Sequence, residues 1–394
     1  MAAAILLGVG TYLPLTLLAP LEPTAAVSAA EEPAATPPVS YRLPAAGISA
    51  LGLRDGTELL ASEGADEAYP MASITKIITA LVVLEKYPLA AGESGPSVRM
   101  GRADEAFYED YYLRGAKLLR VVTGWTFTER ELLEIVLVDS AANYASSLSR
   151  WAFASDANFA AAARKWLSAR GLTGITVVEP VGLDPKNTAT PAALVQLGRI
   201  ALADPLVADL VKTTTLSMHD VGTLENTNEL LGTDGVTGIK TGTLDDYGAS
   251  LLFSAEVSTL GEPVALVGAV LGSGNHNLLN QEVRTLLASV QANYHTVTLT
   301  TRDQVFGSFT TPWGDTADAI VETSESMIVW GDQPITMQVD IDSVTTAFEG
   351  DRVGLVVFTS GGQTVRVPLV LTHDIEDPGP WWRIGHPGIV GGDW

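Results

Sequence analysis

Apolar residues recur along the chain with two different periods, which separate helical from extended segments. The longest apolar run follows Ser73 and covers residues 74–84, which predicts a helix buried on nearly every side. Residues 47–62 alternate on both sides of Asp55-Gly56, and this pattern predicts a β-hairpin. Further helices are predicted over 129–148, with a polar break at 139–143, and over 157–167, 192–203 and 280–294. Strands are predicted over 236–243, 249–257 and 263–271.

After His295 the pattern changes to short strands separated by Gly, Asp and Pro. These strands are predicted over 296–301, 327–330, 336–341, 352–359 and 364–371. Repeated short strands without a helical stretch indicate a small all-β sandwich. A chain of 394 residues is long enough for two domains. We therefore predict a larger domain over 41–295 and a β-sandwich domain over 296–394.

The N-terminal segment, residues 1–21, is apolar and uncharged, and it has about the length that crosses a bilayer. No Lys or Arg precedes Arg42, although a signal peptide normally begins with basic residues. Two alternatives stay open, a cleaved signal peptide and a membrane anchor. We prefer both to a third interpretation, a buried core helix. Residues 22–40 are rich in Ala, Pro, Glu and Thr, which predicts an extended linker. Together these segments predict export to the cell envelope, either membrane-anchored or secreted.

The amino-acid composition argues against several classes of function. The formal net charge is −23 and no basic stripe is present, which argues against nucleic-acid binding because phosphate contacts depend on clustered Lys and Arg. The chain has no cysteine, so disulfides, thiol catalysis and cysteine-bound metals are excluded. The five histidines are scattered without metal-ligand spacing. We predict neither a metal nor another cofactor.

Ser73 and Lys76 lie one turn apart on the same face of the predicted buried helix. Pro70 and Ser73 mark the helix start, where the backbone N–H groups and the helix dipole favour negative charge. A serine at this position, beside a lysine desolvated enough to be partly neutral, has the components of an activated nucleophile. The alternative is an N-cap serine with a lysine that reaches the surface, since a four-residue pattern recurs by accident.

Two later segments carry polar residues that complement Ser73 and Lys76. They are Ser140-Ala141-Ala142-Asn143 and Lys240-Thr241-Gly242-Thr243. Ser-x-x-Lys, a Ser/Asn element and Lys-Thr-Gly, in this order, resemble the serine penicillin-recognising enzymes. The resemblance is closest to the low-molecular-weight penicillin-binding proteins, the serine-type D-alanyl-D-alanine carboxypeptidases of peptidase family S11. It extends over most of the chain after Tyr41 in motif order and approximate spacing.

The resemblance implies a fold and a catalytic group. The fold is an α/β (α+β) DD-peptidase/β-lactamase-like transpeptidase domain with helices around an antiparallel sheet. Ser73 would attack the D-Ala-D-Ala carbonyl and form an acyl-enzyme, and Lys76 would be its general base. Ser140 would relay protons between Lys76 and the substrate nitrogen.

The Lys-Thr-Gly strand is expected to bind the substrate. Lys240 would hold the terminal carboxylate, and Thr241 would add a hydroxyl hydrogen bond to it. Gly242 would let a peptide approach the strand closely. By resemblance, the backbone N–H groups of Ser73 and Thr243 would form the oxyanion hole.

The second motif departs from the family pattern Ser-x-Asn. If Ser140 holds the serine position, Ala142 replaces the asparagine; if Asn143 holds the asparagine position, Ala141 replaces the serine. We prefer the first alignment because Ser140 follows the apolar helix predicted over 133–138, as the family serine does. Asn143 would then bind substrate only through a local bulge. Loss of one preorganised hydrogen bond can cost about 10²-fold in rate.

The leading hypothesis is therefore a D-Ala-D-Ala carboxypeptidase that trims peptidoglycan stem peptides, is acylated by β-lactams and contacts the membrane through its N-terminal segment. The alternative is a catalytically impaired, penicillin-binding-like protein that binds the wall, because its Ser-x-Asn motif is altered. Endopeptidase activity on cross-links uses the same residues and stays open. A class A β-lactamase is disfavoured by the β-rich segment 296–394 and by the lack of a Glu-based deacylation motif.

Overall fold

The structure is a computed structural model that describes residues 12–90, 92–259 and 263–388. The chain divides into two compact units. The larger is Ser40–Ala292, and the smaller joins the residues before Ser40 to those from Asn293 onward. The division between Ala292 and Asn293 lies close to the boundary predicted at residue 295.

Helices and strands alternate in the larger unit, whereas strands dominate the smaller one. The helices are α1 (12–18), α2 (Thr75–Lys86), α3 (Arg102–Leu113), α4 (Glu129–Glu134), α5 (Ala142–Phe153), α6 (Asp156–Ala169), α7 (Pro191–Ala203), α8 (Pro205–Val211), α9 (His276–Ala292) and α10 (Gly379–Gly385). The strands are β1 (Val27–Ser28), β2 (Ile48–Leu53), β3 (Leu59–Glu63), β4 (Tyr69–Pro70), β5 (Ser97–Arg99), β6 (Thr126–Thr128), β7 (Ile175–Thr176), β8 (Thr188–Ala189), β9 (Thr215–Met218), β10 (Gly222–Glu225), β11 (Val236–Leu244), β12 (Gly248–Val257), β13 (Val264–Ser273), β14 (Tyr294–Thr300), β15 (Val305–Thr310), β16 (Thr316–Ile320), β17 (Glu325–Trp330), β18 (Thr336–Ile341), β19 (Arg352–Ser360) and β20 (Gln363–Leu371).

The larger unit is built on an antiparallel sheet with the strand order β11-β12-β13-β2-β3. The predicted hairpin is confirmed, since β2 and β3 pair with Ser49 opposite Glu63. Helices α7 and α9 pack against this sheet. The predicted fold of helices around an antiparallel sheet is therefore confirmed, and β11, which carries the Lys-Thr-Gly motif, is an edge strand.

Helix α2 lies at the centre of the larger unit's apolar core. Residues Thr75–Leu84 are all buried, as the apolar run after Ser73 predicts. The helical run predicted over 129–148, with a polar break at 139–143, is divided near that break into α4, a π-helical turn at Ile135–Asp139, and α5. Ser140, at the division, has the left-handed values φ 71° and ψ 19°. Such a residue ends one helix and redirects the chain before the next.

The smaller unit is a β-sandwich. Its six-stranded sheet has the order β1-β15-β16-β20-β19-β18, and β14 pairs with β17 in a second sheet. Side chains of both sheets, such as Val297 and Met327 from one and Phe306 and Val356 from the other, share one apolar core. The sandwich predicted from short strands is confirmed, and the terminal helix α10 is an addition that the strand pattern does not predict.

The segment before Ser40 belongs to the smaller unit. Residues 1–11 lie outside the described residues, so only part of the predicted signal or anchor segment is described. No helix within the described ranges combines the length and apolar character needed to cross a membrane. In the predicted linker, β1 pairs with β15, and Thr24 exchanges backbone hydrogen bonds with Val344 at 2.7 and 3.0 Å. Composition does not reveal this attachment, because both partners lie far along the chain.

Candidate active site

Ser73 lies in a 3₁₀ turn, Ala72–Ile74, directly before α2. Ala72 has φ 49°, in the left-handed region, and its carbonyl faces Gly182. A Cβ atom built on Gly182 would lie 1.9 Å from the Ala72 carbonyl oxygen, so only glycine fits there. Ser73 is half-buried while its neighbours Ala72 and Ile74 are buried. The turn therefore presents one hydroxyl at the start of an otherwise buried helix.

The Lys76 ammonium is placed against the Ser73 hydroxyl. Lys76 is 1% exposed, and its Nζ lies 2.7 Å from Ser73 Oγ and 2.9 Å from the carbonyl oxygen of Val181. Burial lowers the pKa of Lys76 from 10.5 to about 7, although the carboxylate of Glu179 acts in the opposite direction. A substantial fraction of Lys76 is therefore neutral near neutral pH and can accept a proton from Ser73.

The Glu179 carboxylate organises the loop that carries Val181 and Gly182. It accepts hydrogen bonds from the backbone N–H groups of Val181 and Gly182, both at 2.6 Å, and of Leu183 at 2.8 Å. Asn187 Nδ2 also donates to it at 2.7 Å. No sequence pattern points to Glu179, because a carboxylate that binds backbone amides leaves no spacing pattern among side chains.

Lys240 lies on β11 and is 1% exposed. Its Nζ is 3.4 Å from Thr227 Oγ1 and 3.4 Å from the Thr241 carbonyl oxygen. Burial lowers the pKa of Lys240 well below its usual value, and repulsion from Lys76 and Lys117 adds to this effect. Asp139 acts in the opposite direction, and a carboxylate that entered the site would further favour the charged form of Lys240.

Gly242 allows β11 to pack against the Ser73 turn. A Cβ atom on Gly242 would lie 2.8 Å from the Met71 carbonyl oxygen and 3.2 Å from Ser73 N. Close approach of a peptide is the reason predicted for this glycine, and packing of the strand against the Ser73 turn is a second reason. Next to it, Thr243 Oγ1 lies 2.7 Å from His276 Nε2. Sequence patterns gave no signal for His276, which reaches the motif from the start of α9.

The second motif is divided between the cavity and the protein interior. Ser140 and Ala142 line the cavity that also contains Ser73 and Lys76. Asn143 is 1% exposed; its Nδ2 donates to the Leu119 carbonyl at 2.8 Å and its Oδ1 accepts from the Leu119 N–H at 3.2 Å. The structure therefore does not bring Asn143 into the cavity. The residue of this motif that lines the cavity together with Ser140 is Ala142.

Apart from Lys240, which is buried behind it on β11, the remaining predicted residues line one cavity of about 620 Å³. Its lining includes Ser73, Lys76, Ser140, Thr241, Gly242 and Thr243. Thr227, another lining residue, shares a hydrogen bond between hydroxyl groups with Thr241. Among residues 12–90, 92–259 and 263–388, no group of three or more His, Asp or Glu side chains could hold a metal ion. The cavity therefore places the Ser73 hydroxyl beside the buried Lys76 amine, with the hydroxyl groups of Ser140, Thr227 and Thr241 in the same lining.

Comparisons with known proteins agree on one family. The family model for peptidase S11, D-alanyl-D-alanine carboxypeptidase, matches residues 51–273. The chain is 31% identical over 260 residues to the D-alanyl-D-alanine endopeptidase of Pseudomonas aeruginosa, covering 64% of this chain and 79% of that protein. It is 25% identical over 339 residues to the D-alanyl-D-alanine carboxypeptidase DacC of Escherichia coli, covering 83% of each. The solved structure of penicillin-binding protein 5 from Haemophilus influenzae is similar in fold, with a TM-score of 0.58, 19% identity, and coverage of 84% of this chain and 98% of that one.

Proposed function

This chain belongs to the D-alanyl-D-alanine carboxypeptidase family of serine peptidases, S11, and from that membership we propose that it removes the terminal D-Ala of peptidoglycan stem peptides through an acyl-enzyme on Ser73. The observation that carries the proposal is the 2.7 Å contact between Lys76 Nζ and Ser73 Oγ on a fully buried lysine. The same acylation makes the enzyme sensitive to β-lactams, whose amide carbonyl replaces the peptide carbonyl.

In the acylation step, Ser73 Oγ loses one proton, an ester bond to Ser73 forms and one peptide C–N bond breaks. Ser73 Oγ attacks the carbonyl carbon between the two D-Ala residues, and its proton moves to neutral Lys76. The N–H groups of Ser73 and Thr243 stabilise the developing oxyanion. The C–N bond then breaks, and the leaving amine takes a proton from Lys76 through the Ser140 hydroxyl. Water hydrolyses the Ser73 ester, which releases the shortened peptide and restores the free serine.

Lys240, Thr241 and Thr227 favour a substrate with a free terminal carboxylate. The Lys240 ammonium is buried with contacts of 3.4 Å to Thr227 Oγ1 and the Thr241 carbonyl oxygen, and the hydroxyl groups of Thr227 and Thr241 are bonded to each other. Binding the carboxylate there places the scissile carbonyl towards Ser73, across Gly242. On this proposal, pairing of the terminal carboxylate with Lys240 favours removal of a terminal residue over cleavage of cross-links that carry no carboxylate beside the cleaved bond.

The substrate lies outside the cytoplasmic membrane, so the proposal requires export to the envelope. The apolar segment 1–21 supports export, as signal peptide or as membrane anchor. One observation favours a second candidate, a catalytically impaired protein that binds the wall: Ala142 lines the cavity at the family's asparagine position. An alanine there removes a side-chain hydrogen-bond donor and acceptor.

The test measures acylation and turnover separately. Wild type and Ser73→Ala are incubated with a fluorescent penicillin, and D-Ala release from a stem pentapeptide is followed in parallel. We expect labelling and D-Ala release by wild type and neither by Ser73→Ala. A correctly folded wild type without labelling contradicts the acyl-enzyme, and labelling without D-Ala release supports the impaired candidate. Release from a cross-linked dimer alone would instead assign an endopeptidase.

A further inference from the structure

The cavity wall at Ala142 lacks the side-chain amide that the family motif places there. Ala142 lines the cavity with Ser140. The neighbouring Asn143 cannot supply the amide, because both of its polar atoms are bonded to the Leu119 backbone. A substrate carbonyl on this wall would lose its hydrogen bond to water without gaining one from either residue.

The start of α5 holds a neighbouring segment, residues 117–120, against this wall. The Ala142 N–H donates to the Lys117 carbonyl at 2.8 Å. Asn143 binds the N–H and the carbonyl of Leu119, and the Tyr144 hydroxyl donates to the Arg120 carbonyl at 2.9 Å. Three successive residues of one helix therefore fix the backbone from which the Lys117 side chain extends.

Lys117 brings an ammonium group to the cavity beside Ala142. Its side chain is 45% exposed and lines the same cavity as Ser73, Ser140 and Ala142. Its Nζ lies 3.1 Å from Asp139 Oδ2, on a carboxylate whose side chain is 6% exposed. An ammonium has three N–H groups. In the described part of the chain, Asp139 is the one partner found for Nζ, so two N–H groups remain for a bound molecule.

We propose that Lys117 is a substrate-binding residue that replaces the missing asparagine amide, donating a hydrogen bond to a backbone carbonyl of the bound stem peptide. The proposal rests on the proposed function, since it concerns the same cavity and substrate. Asp139 both orients the ammonium and balances its charge, so a neutral carbonyl is a better acceptor here than a second carboxylate. The competing explanation is that Lys117 serves only to neutralise the buried Asp139.

The test measures peptide affinity in a Ser73→Ala background, which removes any dependence on turnover. The probe is a stem pentapeptide ending in D-Ala-D-Ala, and its Kd is measured by calorimetry. Adding Lys117→Met is expected to raise Kd roughly 10- to 100-fold, as expected for loss of a hydrogen bond from a charged donor. Adding Ala142→Asn to that protein is expected to restore most of the affinity, whereas Ala142→Asn alone changes it less than about threefold.

Two further variants keep the test decisive. Lys212→Met, on a surface lysine paired with Asp209, is the matched control and leaves Kd unchanged. The double variant Lys117→Met, Asp139→Asn removes the buried negative charge together with its partner. If this protein is folded and still binds the peptide weakly, an unpaired, destabilising Asp139 is excluded as the cause of the weak binding. Equal Kd values with and without Lys117, no rescue by Ala142→Asn, or no peptide binding by Ser73→Ala itself would each overturn the proposal. Failure of the proposed function appears separately, as absent penicillin labelling of wild-type Ser73.

Discussion

Replacing Lys76 by methionine is expected to abolish acylation of Ser73 and, at the same time, to stabilise the folded protein. Lys76 is 1% exposed within the apolar core, and burial lowers its pKa from 10.5 to about 7. At pH 7 the unfolded chain keeps this lysine fully protonated, whereas the folded state protonates it about half of the time. Folding therefore costs free energy at this position.

The size of the cost follows from the two pKa values. A pKa that falls from 10.5 to about 7 destabilises the folded state by about 4 kcal/mol at pH 7. Methionine removes this cost but leaves the Val181 carbonyl without its donor, a loss of about 1–3 kcal/mol. The net expectation is a gain of about 2 kcal/mol in the free energy of unfolding. For a domain of this size, such a gain raises Tm by roughly 4–8 °C.

The gain in stability of Lys76→Met over wild type depends on pH. The numbers of protons bound by the folded and the unfolded chain set the sign of this dependence. Between pH 7 and 10.5 the unfolded chain binds more protons than the folded chain, so wild-type stability rises with pH by about 1.4 kcal/mol per pH unit from this group. The methionine variant lacks this rise. Its advantage over wild type is therefore expected to shrink by about 2 kcal/mol between pH 7 and pH 9.

Urea unfolding of both proteins at pH 6, 7, 8 and 9 measures the effect. Lys86→Met is the matched control, since Lys86 lies at the exposed end of the same helix. We expect no comparable pH-dependent difference for it. A Lys76→Met protein that is less stable than wild type at every pH, or whose advantage does not change with pH, would refute the reasoning.

Three further predictions concern the same site. Penicillin acylation by wild type should slow about tenfold per pH unit below 7, because only neutral Lys76 accepts the Ser73 proton; stopped-flow rates that stay flat from pH 5 to 7 would contradict this. Gly242→Ala places a Cβ 2.8 Å from the Met71 carbonyl oxygen and should lower the acylation rate by about 10²-fold. Gly385→Ala, where an added Cβ meets nothing within 4 Å, is its control, and equal labelling of the two proteins would count against the packing argument. Glu179→Gln removes the charge that raises the pKa of Lys76, so the midpoint of the acylation pH profile should fall. Thermal unfolding should show a loss of about 1–3 kcal/mol, because the amide cannot accept all of the loop's N–H groups; a midpoint that stays in place would exclude the electrostatic effect of Glu179.

Some features of the site follow from the sequence because they are local. Ser73 and Lys76 share a face because they lie one helical turn apart, and the apolar run after them specifies the burial that lowers the lysine pKa. Alternation and turn residues likewise place Lys240 on a strand of the antiparallel sheet. The β-sandwich is also predictable, since its short alternating strands are local patterns.

Contacts between distant segments could not be predicted in the same way. Glu179 positions the Val181 carbonyl from a loop about a hundred residues after Lys76, and His276 reaches Thr243 from another helix. The explanation of Gly242 by peptide approach was incomplete for this reason, because its nearest neighbours belong to the Ser73 turn.

Residue types at short spacing predicted Ser73 as the nucleophile, Lys76 as its base and the Lys-Thr-Gly strand as the carboxylate-binding element, and the change to short strands predicted a division near residue 295. The tertiary structure was needed to show where the side chains of the altered second motif point. The left-handed backbone of Ser140 directs Ala142 to the cavity and Asn143 to Leu119. The ammonium of Lys117 reaches the same wall through its pairing with Asp139. A side chain's direction after a helix break is set by the backbone angles and by packing against distant residues, and neither is encoded in the motif's spacing.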